Sequence, residues 1–146
     1  MIIALRGMIG TGKTTVANYL KDEYDFKIIN CDEIVAELYN SNEEVVNSIK
    51  NLLNIDEVSK KNVAKIVFNN KKLLTGLEEI LFPFVEKECQ NIIKNNENVV
   101  LDCQTIDKTN IEYDFSIITT CYIEEIIERV QERDGRTRED IEKIIQ

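Results

Sequence analysis

Short apolar runs separate longer stretches in which apolar residues recur every three or four positions. The apolar runs predict four strands, at residues 2–5, 26–30, 98–101 and 115–120. Helical spacing predicts helices at 13–21, 33–39, 124–132 and 138–146. Strands separated by helices indicate right-handed crossovers and a mostly parallel sheet of four or five strands, covered on both faces. The predicted fold class is therefore three-layer α/β.

The middle of the chain, residues 41–95, is helical in pattern throughout. We expect this insert to project from the carboxyl edge of the sheet, where such folds bind ligands. Asp32 and Asp56 are candidate helix caps, and Pro83 is expected to kink or restart the last helix of the insert. Thr137, with Asp140 three residues later, predicts a capping box for the final helix.

The bulk properties narrow the possible environment and partners. A length of 146 residues, with 43% hydrophobic and 31% charged residues, is typical of one globular domain, residues 1–146. No apolar run approaches the ~20 residues that cross a bilayer, and the first residues do not resemble a signal peptide, so we expect a cytoplasmic protein without a membrane partner. The net charge of −9 argues against a nucleic-acid partner and requires any phosphate site to be locally basic.

Two features of the composition restrict the chemistry. The chain has no histidine, so acid–base catalysis must use carboxylates, lysine or tyrosine. The four cysteines are far apart and form no C-x-x-C pair, which in a reducing compartment indicates free and mostly buried thiols.

A glycine-rich loop after the first strand carries the clearest chemical signal. The segment matches G-x-x-x-x-G-K-[ST] without a mismatch and lies between a predicted strand and a predicted helix. Its amides and the helix dipole are expected to hold the phosphates of a nucleoside triphosphate such as ATP, Lys13 to reach the β- and γ-phosphates, and the Thr14 hydroxyl to bind Mg²⁺. The predicted nucleotide-binding residues are Gly7, Met8, Ile9, Gly10, Thr11, Gly12, Lys13, Thr14 and Thr15.

With this loop placed, nearly the whole chain resembles the dephospho-CoA kinase family, which uses ATP to phosphorylate the ribose 3′-hydroxyl of dephospho-CoA. The stretch F-K-I-I-N-C-D-E-I-V resembles the family's second strand and its acidic D-x-D turn. The insert segment L-E-E-I-L-F-P-F-V resembles its acceptor-binding helices, and R-V-Q-E-R-D-G-R-T-R-E-D resembles its arginine-rich lid, here about residues 129–140. The resemblance implies a P-loop kinase fold and a phosphotransferase of coenzyme A biosynthesis.

The resemblance also suggests roles for residues outside the loop. Asp32 matches the second acid of the D-x-D turn and would orient or deprotonate the acceptor hydroxyl, although it would look the same as a simple helix cap. Arg133 and Arg138 would stabilise the transferring phosphoryl group, with Arg129 and Arg136 as weaker candidates; the alternative is a solvated helix whose arginines pair with neighbouring acids. Asp102 would hold Mg²⁺ through water or, alternatively, start a turn.

Several residues depart from the family pattern, and all lie on the acceptor side. Phe82 replaces the histidine before Pro83, Asn30 replaces the first acid of the D-x-D turn, and Gln104 begins a segment unlike the family's. Arg6 and Met8 add charge and bulk beside the loop. These departures leave two alternatives: a nucleoside or deoxynucleoside monophosphate kinase, whose acceptor phosphate Arg6 would suit, or a nucleotide-binding module without catalysis.

The chain is also short for this family, because it ends near the lid and lacks the segment that normally supplies the last strand and part of the adenine pocket. Nucleotide base preference is therefore left open. Either the sequence is a truncation or it is a short natural variant. If it is natural, we expect the strand at 115–120 to be an open edge, which proteins usually cover. The sequence predicts that the helix after Thr137, or a second subunit of a homo-oligomer, covers it.

Overall fold

Four parallel strands form the central sheet of the computed structural model, which describes residues 1–145. The strands lie in the order β2-β3-β1-β4, and their bounds are Ile2–Gly7 for β1, Lys27–Asn30 for β2, Val99–Asp102 for β3 and Phe115–Thr119 for β4. In the register of neighbouring strands, Asp102 lies opposite both Leu5 and Asn30, and Gly7 lies opposite Thr119. The predicted fold class, a mostly parallel α/β sheet, is confirmed.

Seven helices occupy the described residues. The helices α1 and α2 flank β2, α3 to α5 complete the helical stretch before β3, and α6 and α7 follow β4. None of the helices within residues 1–145 is long and apolar enough to span a membrane. Their bounds are Lys13–Tyr24 (α1), Cys31–Ser41 (α2), Glu43–Leu53 (α3), Lys60–Val67 (α4), Lys71–Lys94 (α5), Ile123–Asp134 (α6) and Arg138–Ile145 (α7), with a short 3₁₀ turn at Ile106–Lys108.

Helices pack on both faces of the sheet because alternate residues of the inner strands are apolar on both sides. On one face Ile3 and Leu5 pack with Ala17 of α1. On the other face Ala4 and Leu101 pack with residues of α5. The helices α3, α4 and α5 form a separate apolar cluster that includes Val45, Ile49, Val63, Leu77 and Leu81. The sheet is thus buried in the manner of a parallel sheet, and its carboxyl edge is left for the loops.

Three predicted helix features differ from the structure and one agrees. Asn30, not Asp32, caps α2, and Ser59, not Asp56, caps α4. Pro83 lies inside one continuous helix, α5, so the predicted restart is wrong; buried contacts of this helix on both sides of the proline hold it together. The capping box at the final helix is confirmed, since Asp140 N donates to Thr137 Oγ1 at 3.2 Å.

The last strand, β4, is an edge of the sheet. Within residues 1–145, no strand pairs with its outer side, and the side chains of Phe115 and Ile118 are 60% and 65% exposed. The final helix, α7, packs against α6 through the fully buried Ile141 rather than along β4. The prediction that the helix after Thr137 covers this edge is therefore wrong, because the apolar face of α7 is used on α6. Cover by a second subunit stays a prediction.

Candidate active site

The glycine-rich loop joins β1 to α1 in a conformation suited to binding an anion. Gly10 and Gly12 have φ of 75° and 95°, the left-handed region that favours glycine. Gly12 is also the N-cap of α1 and offers no side-chain acceptor, so no cap side chain covers the first amides of the helix. Lys13 Nζ donates to the carbonyl oxygen of Gly7 at 2.7 Å, which places the ammonium group inside the curve of the loop.

A contact from β4 supports this loop and was missed by the sequence analysis. The hydroxyl oxygens of Thr119 and Thr11 are 2.6 Å apart, and Thr11 Oγ1 donates to the Met8 carbonyl oxygen at 2.7 Å. A Cβ on Gly7 would lie 2.4 Å from Thr119 Oγ1, so glycine is required at this position. No sequence motif marks Thr119, because its contact with Thr11 depends on the pairing of β4 with β1.

Two carboxylates meet the loop lysine at the carboxyl edge of the sheet. Asp102 ends β3, directly opposite Asn30 at the end of β2, and Asp32 lies two residues beyond Asn30. Burial raises the pKa of the Asp102 carboxyl; nearby Lys13 lowers this pKa and nearby Asp32 raises it further. Lys13, Asp32 and Asp102 line the same cavity, so the fold brings them together although they are far apart in sequence.

The cap of α2 leaves Asp32 available for chemistry. Asn30 Oδ1 accepts hydrogen bonds from the amides of Asp32 and Glu33, at 2.9 and 3.4 Å. A single side chain thus satisfies the free amides at the start of the helix, the function that the alternative interpretation gave to Asp32. Asn30 therefore has a structural role, and the Asp32 carboxylate is not consumed as a cap.

One cavity of about 950 Å³, here called the phosphate cavity, contains most of the predicted site residues. Asp32 and Asp102 line it together with nearly the whole glycine-rich loop, and its other lining residues include Asn30, Gln104, Arg129 and Arg133. Gly7 lies next to it and lines an adjoining side cavity of about 420 Å³. The loop residues that line the phosphate cavity are Met8, Ile9, Gly10, Thr11, Gly12, Lys13, Thr14 and Thr15.

Two of the four lid arginines line the phosphate cavity. Arg129 donates to the Gly10 carbonyl oxygen at 3.4 Å and lies 3.6 Å from a carboxylate oxygen of Glu125. The Arg133 guanidinium donates to both carboxylate oxygens of Asp134, at 2.7 and 2.9 Å. Both side chains are more than half exposed. Positive charge is therefore concentrated beside the loop of an otherwise acidic chain.

The other two lid arginines lie elsewhere. Arg138, the first residue of α7, is bound by the Glu124 carboxylate of α6 at 2.7 and 3.0 Å and by Glu142 of α7 at 2.7 Å. These bonds raise the pKa of the guanidinium and lower the pKa of Glu124. Arg138 is not among the residues that the described chain places on the phosphate cavity, whereas Arg136 lines the side cavity.

Only some of the residues that depart from the family pattern on the acceptor side line the two cavities. Met8 and Gln104 line both cavities, and Asn30 lines the phosphate cavity. Arg6 forms an ion pair with Asp107, which follows β3, so its charge is already matched within the chain. Phe82 lies on α5 and is not among the lining residues of either cavity in the described part of the chain.

The donor atoms of the phosphate cavity suit a hard cation. The Thr14 hydroxyl and the carboxylates of Asp32 and Asp102 are oxygen donors, as Mg²⁺ prefers. Among residues 1–145 there is no group of three or more acidic, cysteine or histidine side chains that could hold a metal ion alone. Such a sparse set fits an ion that takes one or two protein ligands and completes its shell with water and substrate phosphates.

Known proteins resemble this chain over its whole length. The family model described as dephospho-CoA kinase matches residues 1–146. The dephospho-CoA kinase of Fusobacterium nucleatum is 32% identical, with 99% of this chain and 79% of that protein covered. The dephospho-CoA kinase of Staphylococcus epidermidis is 29% identical, with 95% and 74% covered. The crystal structure of TT1252 from Thermus thermophilus has the same fold, with a TM-score of 0.84 at 23% identity over 99% of this chain and 78% of that one.

Proposed function

The chain belongs to the dephospho-CoA kinase family, and we propose that it transfers the γ-phosphoryl group of ATP to the ribose 3′-hydroxyl of dephospho-CoA. The observation that carries the proposal is the meeting of Lys13, Asp32 and Asp102 beside the glycine-rich loop. A hydroxyl acceptor needs a base near the γ-phosphate, and the cap at Asn30 leaves the Asp32 carboxylate free to act as one.

Each residue of the site has a distinct role in this proposal. The loop amides and Lys13 hold the β- and γ-phosphates, and Asp32 orients the acceptor hydroxyl and takes its proton. Thr14, and Asp102 through water, would hold Mg²⁺, which neutralises charge on the phosphates when bound. Arg133 exchanges its bond with Asp134 for the transferring phosphoryl group, and Arg129 lies on the same cavity.

Arg138 has a supporting role in this scheme. Its bonds to Glu124 and Glu142 join the first turn of α6 to α7. In this position it acts on the phosphoryl group only if the lid rearranges, so we assign the direct contact to Arg133 first. Neither alternative function is favoured: the relatives are dephospho-CoA kinases, and the Arg6 charge that would suit a monophosphate acceptor is paired with Asp107.

The test is a measurement of ADP formation from ATP and Mg²⁺ with dephospho-CoA or with a panel of nucleoside monophosphates. We expect turnover with dephospho-CoA and only background ADP with the monophosphates. Turnover with a monophosphate alone, or tight ATP binding without turnover on any acceptor, would overturn the proposal.

Replacing the base separates chemistry from binding. We expect Asp32→Asn to lower kcat about 10²- to 10⁴-fold, the usual contribution of general base catalysis, and to leave ATP affinity unchanged. Glu33→Gln is the matched control, because it makes the same carboxylate-to-amide change on the next residue, which lines a different groove beside α5. Equal activity of Asp32→Asn and Glu33→Gln would exclude Asp32 as the base.

A further inference from the structure

Three of the four cysteines form a buried cluster beneath the phosphate cavity. The sulfur atoms of Cys31 and Cys89 are 4.0 Å apart, and Cys103 belongs to the same buried cluster. All three side chains are buried, and the cluster joins the start of α2, the C-terminal half of α5 and the residue that follows β3. The fourth cysteine, Cys121, lies apart and donates to the Glu125 carboxylate at 2.9 Å. The proposed phosphoryl transfer uses none of these thiols.

The strand register brings Cys31 and Cys103 within reach of a covalent bond. Asn30 and Asp102 are opposite each other on neighbouring parallel strands, and the two cysteines are the next residues on each chain segment. Neighbouring strands are about 4.8 Å apart. The spacing at Asn30 and Asp102, one residue before the two cysteines, therefore falls within the range of about 4.4–6.8 Å between Cα atoms that a disulfide requires. We propose that Cys31 and Cys103 are a modification site, at which a peroxide-class oxidant forms a reversible disulfide.

An oxidant reaches this pair from the side cavity. Cys103 lines that cavity together with Gln104 and the glycine-rich loop, although the residue as a whole is only 3% exposed. Cys89 is fully buried and lines neither cavity in the described part of the chain. Cys103 is therefore the first thiol to react, and Cys31, its neighbour in the same buried cluster, is the thiol that resolves the product.

The chemistry balances with hydrogen peroxide as the oxidant. The sulfur of Cys103, having lost its proton, attacks one peroxide oxygen; the O–O bond breaks and leaves a sulfenate and water once the departing hydroxide is protonated. The sulfur of Cys31 then attacks the Cys103 sulfur, and the S–O bond breaks as its oxygen leaves with protons as a second water. Two thiols and one peroxide give one disulfide and two waters, and a dithiol reductant reverses the change.

The disulfide would act on the two acids of the site, a consequence that rests on the proposed function. Cys31 precedes Asp32 and Cys103 follows Asp102, so each cysteine is the chain neighbour of one site carboxylate. A disulfide needs the sulfur atoms about 2.05 Å apart and a fixed dihedral angle about the S–S bond, so it changes the side-chain torsions of both cysteines and restrains the backbone that carries the two acids. A shift of about 1 Å in a catalytic group can reduce turnover about 100-fold.

The covalent part is tested by peptide mapping of the full chain after titration with hydrogen peroxide. We expect the peptides carrying Cys31 and Cys103 to appear as one cross-linked species, to separate on reduction with dithiothreitol, and to be retained in Cys121→Ser and Cys89→Ala. A link between Cys31 and Cys89, or oxidation of Cys103 to a sulfinic acid without a cross-link, would overturn the pairing. The cross-link is sought in the wild-type chain, so this test does not depend on whether a cysteine variant folds.

The effect of the disulfide on the site is tested by measuring the turnover of each protein in its oxidised and in its reduced form. We expect oxidised wild type and Cys121→Ser to lose turnover with dephospho-CoA about 10- to 100-fold, with recovery on reduction, and Cys31→Ser to show no reversible loss. An unchanged turnover rate in the cross-linked enzyme would overturn the proposed effect of the disulfide on the site. If the cross-link forms and reduced enzyme phosphorylates no dephospho-CoA, the proposed function fails while the modification site stands.

Discussion

Single hydroxyl and amide groups set the geometry of this site as much as the charged residues do. The hydroxyl pair Thr119 and Thr11 fixes the turn of the glycine-rich loop, and the Asn30 amide caps α2 in place of Asp32. Each of these contacts joins residues from different elements or settles which of two neighbours forms a cap. Removing one of these contacts should therefore affect one property of the protein, either ATP binding or the stability of α2.

The first prediction at this scale concerns the support of the loop by β4. Thr119→Val keeps the shape of the side chain and removes its hydroxyl, so the Thr11 hydroxyl loses its partner at 2.6 Å. We expect KM for ATP to rise about 3- to 10-fold, the equivalent of one hydrogen bond of about 1 kcal/mol, while KM for the acceptor is unchanged. Thr119→Ser, which retains the hydroxyl, should keep the wild-type KM. If the serine variant is equally impaired, packing of the methyl group and not the hydrogen bond supports the loop.

The second prediction concerns the separate roles of Asn30, which caps α2, and Asp32, the proposed base. Asn30→Ala removes the cap and should lower the free energy of unfolding by about 1 kcal/mol, measured by urea denaturation, whereas Asn30→Ser should retain most of the cap. Asp32→Ala should cost less stability than Asn30→Ala but abolish turnover. A loss of stability in Asp32→Ala as large as that of Asn30→Ala would show that the Asp32 side chain also caps the helix.

At the level of elements, the predicted lid spans the helices α6 and α7, which are held together by both apolar and ionic contacts. Ile141 of α7 is fully buried against Ile126 and Val130 of α6. Arg138 adds bonds from the start of α7 to Glu124 in the first turn of α6. The arginine-rich pattern thus contains two kinds of residue: Arg129 and Arg133 lie on the phosphate cavity, and Arg138 holds the lid helices together.

This ion pair predicts how acid affects the lid. Arg138 lowers the pKa of Glu124 below its usual value, so the pair contributes stability above the unfolded pKa of about 4.3 and loses it as the pH falls through the folded pKa. We expect the free energy of unfolding of Glu124→Gln to fall less than that of wild type between about pH 6 and pH 3. Glu128→Gln, on the same helix but outside the ion pairs of residues 1–145, is the control. Identical pH profiles of wild type and Glu124→Gln would contradict the assignment.

For the whole molecule, the sheet has an inner half that is fully buried and an edge that is not. The inner strands β1 and β3 contribute Ala4, Val99 and Leu101, which are all less than 2% exposed. The outer strand β4 exposes Phe115 and Ile118 together with an unpaired backbone edge among the described residues. An uncovered edge strand is a template for pairing with another chain.

We expect a second copy of this chain to pair at β4, so that sedimentation velocity gives a dimer at micromolar concentration. Ile118→Lys places a charge on this strand and should shift the equilibrium to the monomer. Phe68→Lys is the control. Phe68 is 69% exposed and directly follows α4, in the helical insert between β2 and β3. A wild-type protein that sediments as a monomer at every concentration would rule out this mode of assembly.

The amino-acid sequence by itself determined the elements and the phosphate loop. Hydrophobic runs of four to six residues and helical spacing depend on local periodicity, so the strands, the helices and the glycine-rich segment were predictable within a few residues. The Thr137–Asp140 capping box was predictable for the same reason, since both partners lie within one turn. The family resemblance added Asp32 and Asp102 as candidates, and the fold and the family are confirmed by comparison with known proteins.

Only the tertiary structure decided which distant side chains meet. Thr119 reaches Thr11, and Cys31 and Cys103 share one buried cluster, because the strand order β2-β3-β1-β4 brings together segments that are remote in the chain. The sequence pattern favoured Asp32 as the cap of α2, where the structure has Asn30. The family resemblance gave Arg133 and Arg138 the same role, although one lies on the cavity and the other does not. Periodicity records which face of an element is buried, whereas strand register and helix packing, which are set by contacts across the whole core, determine what that face touches.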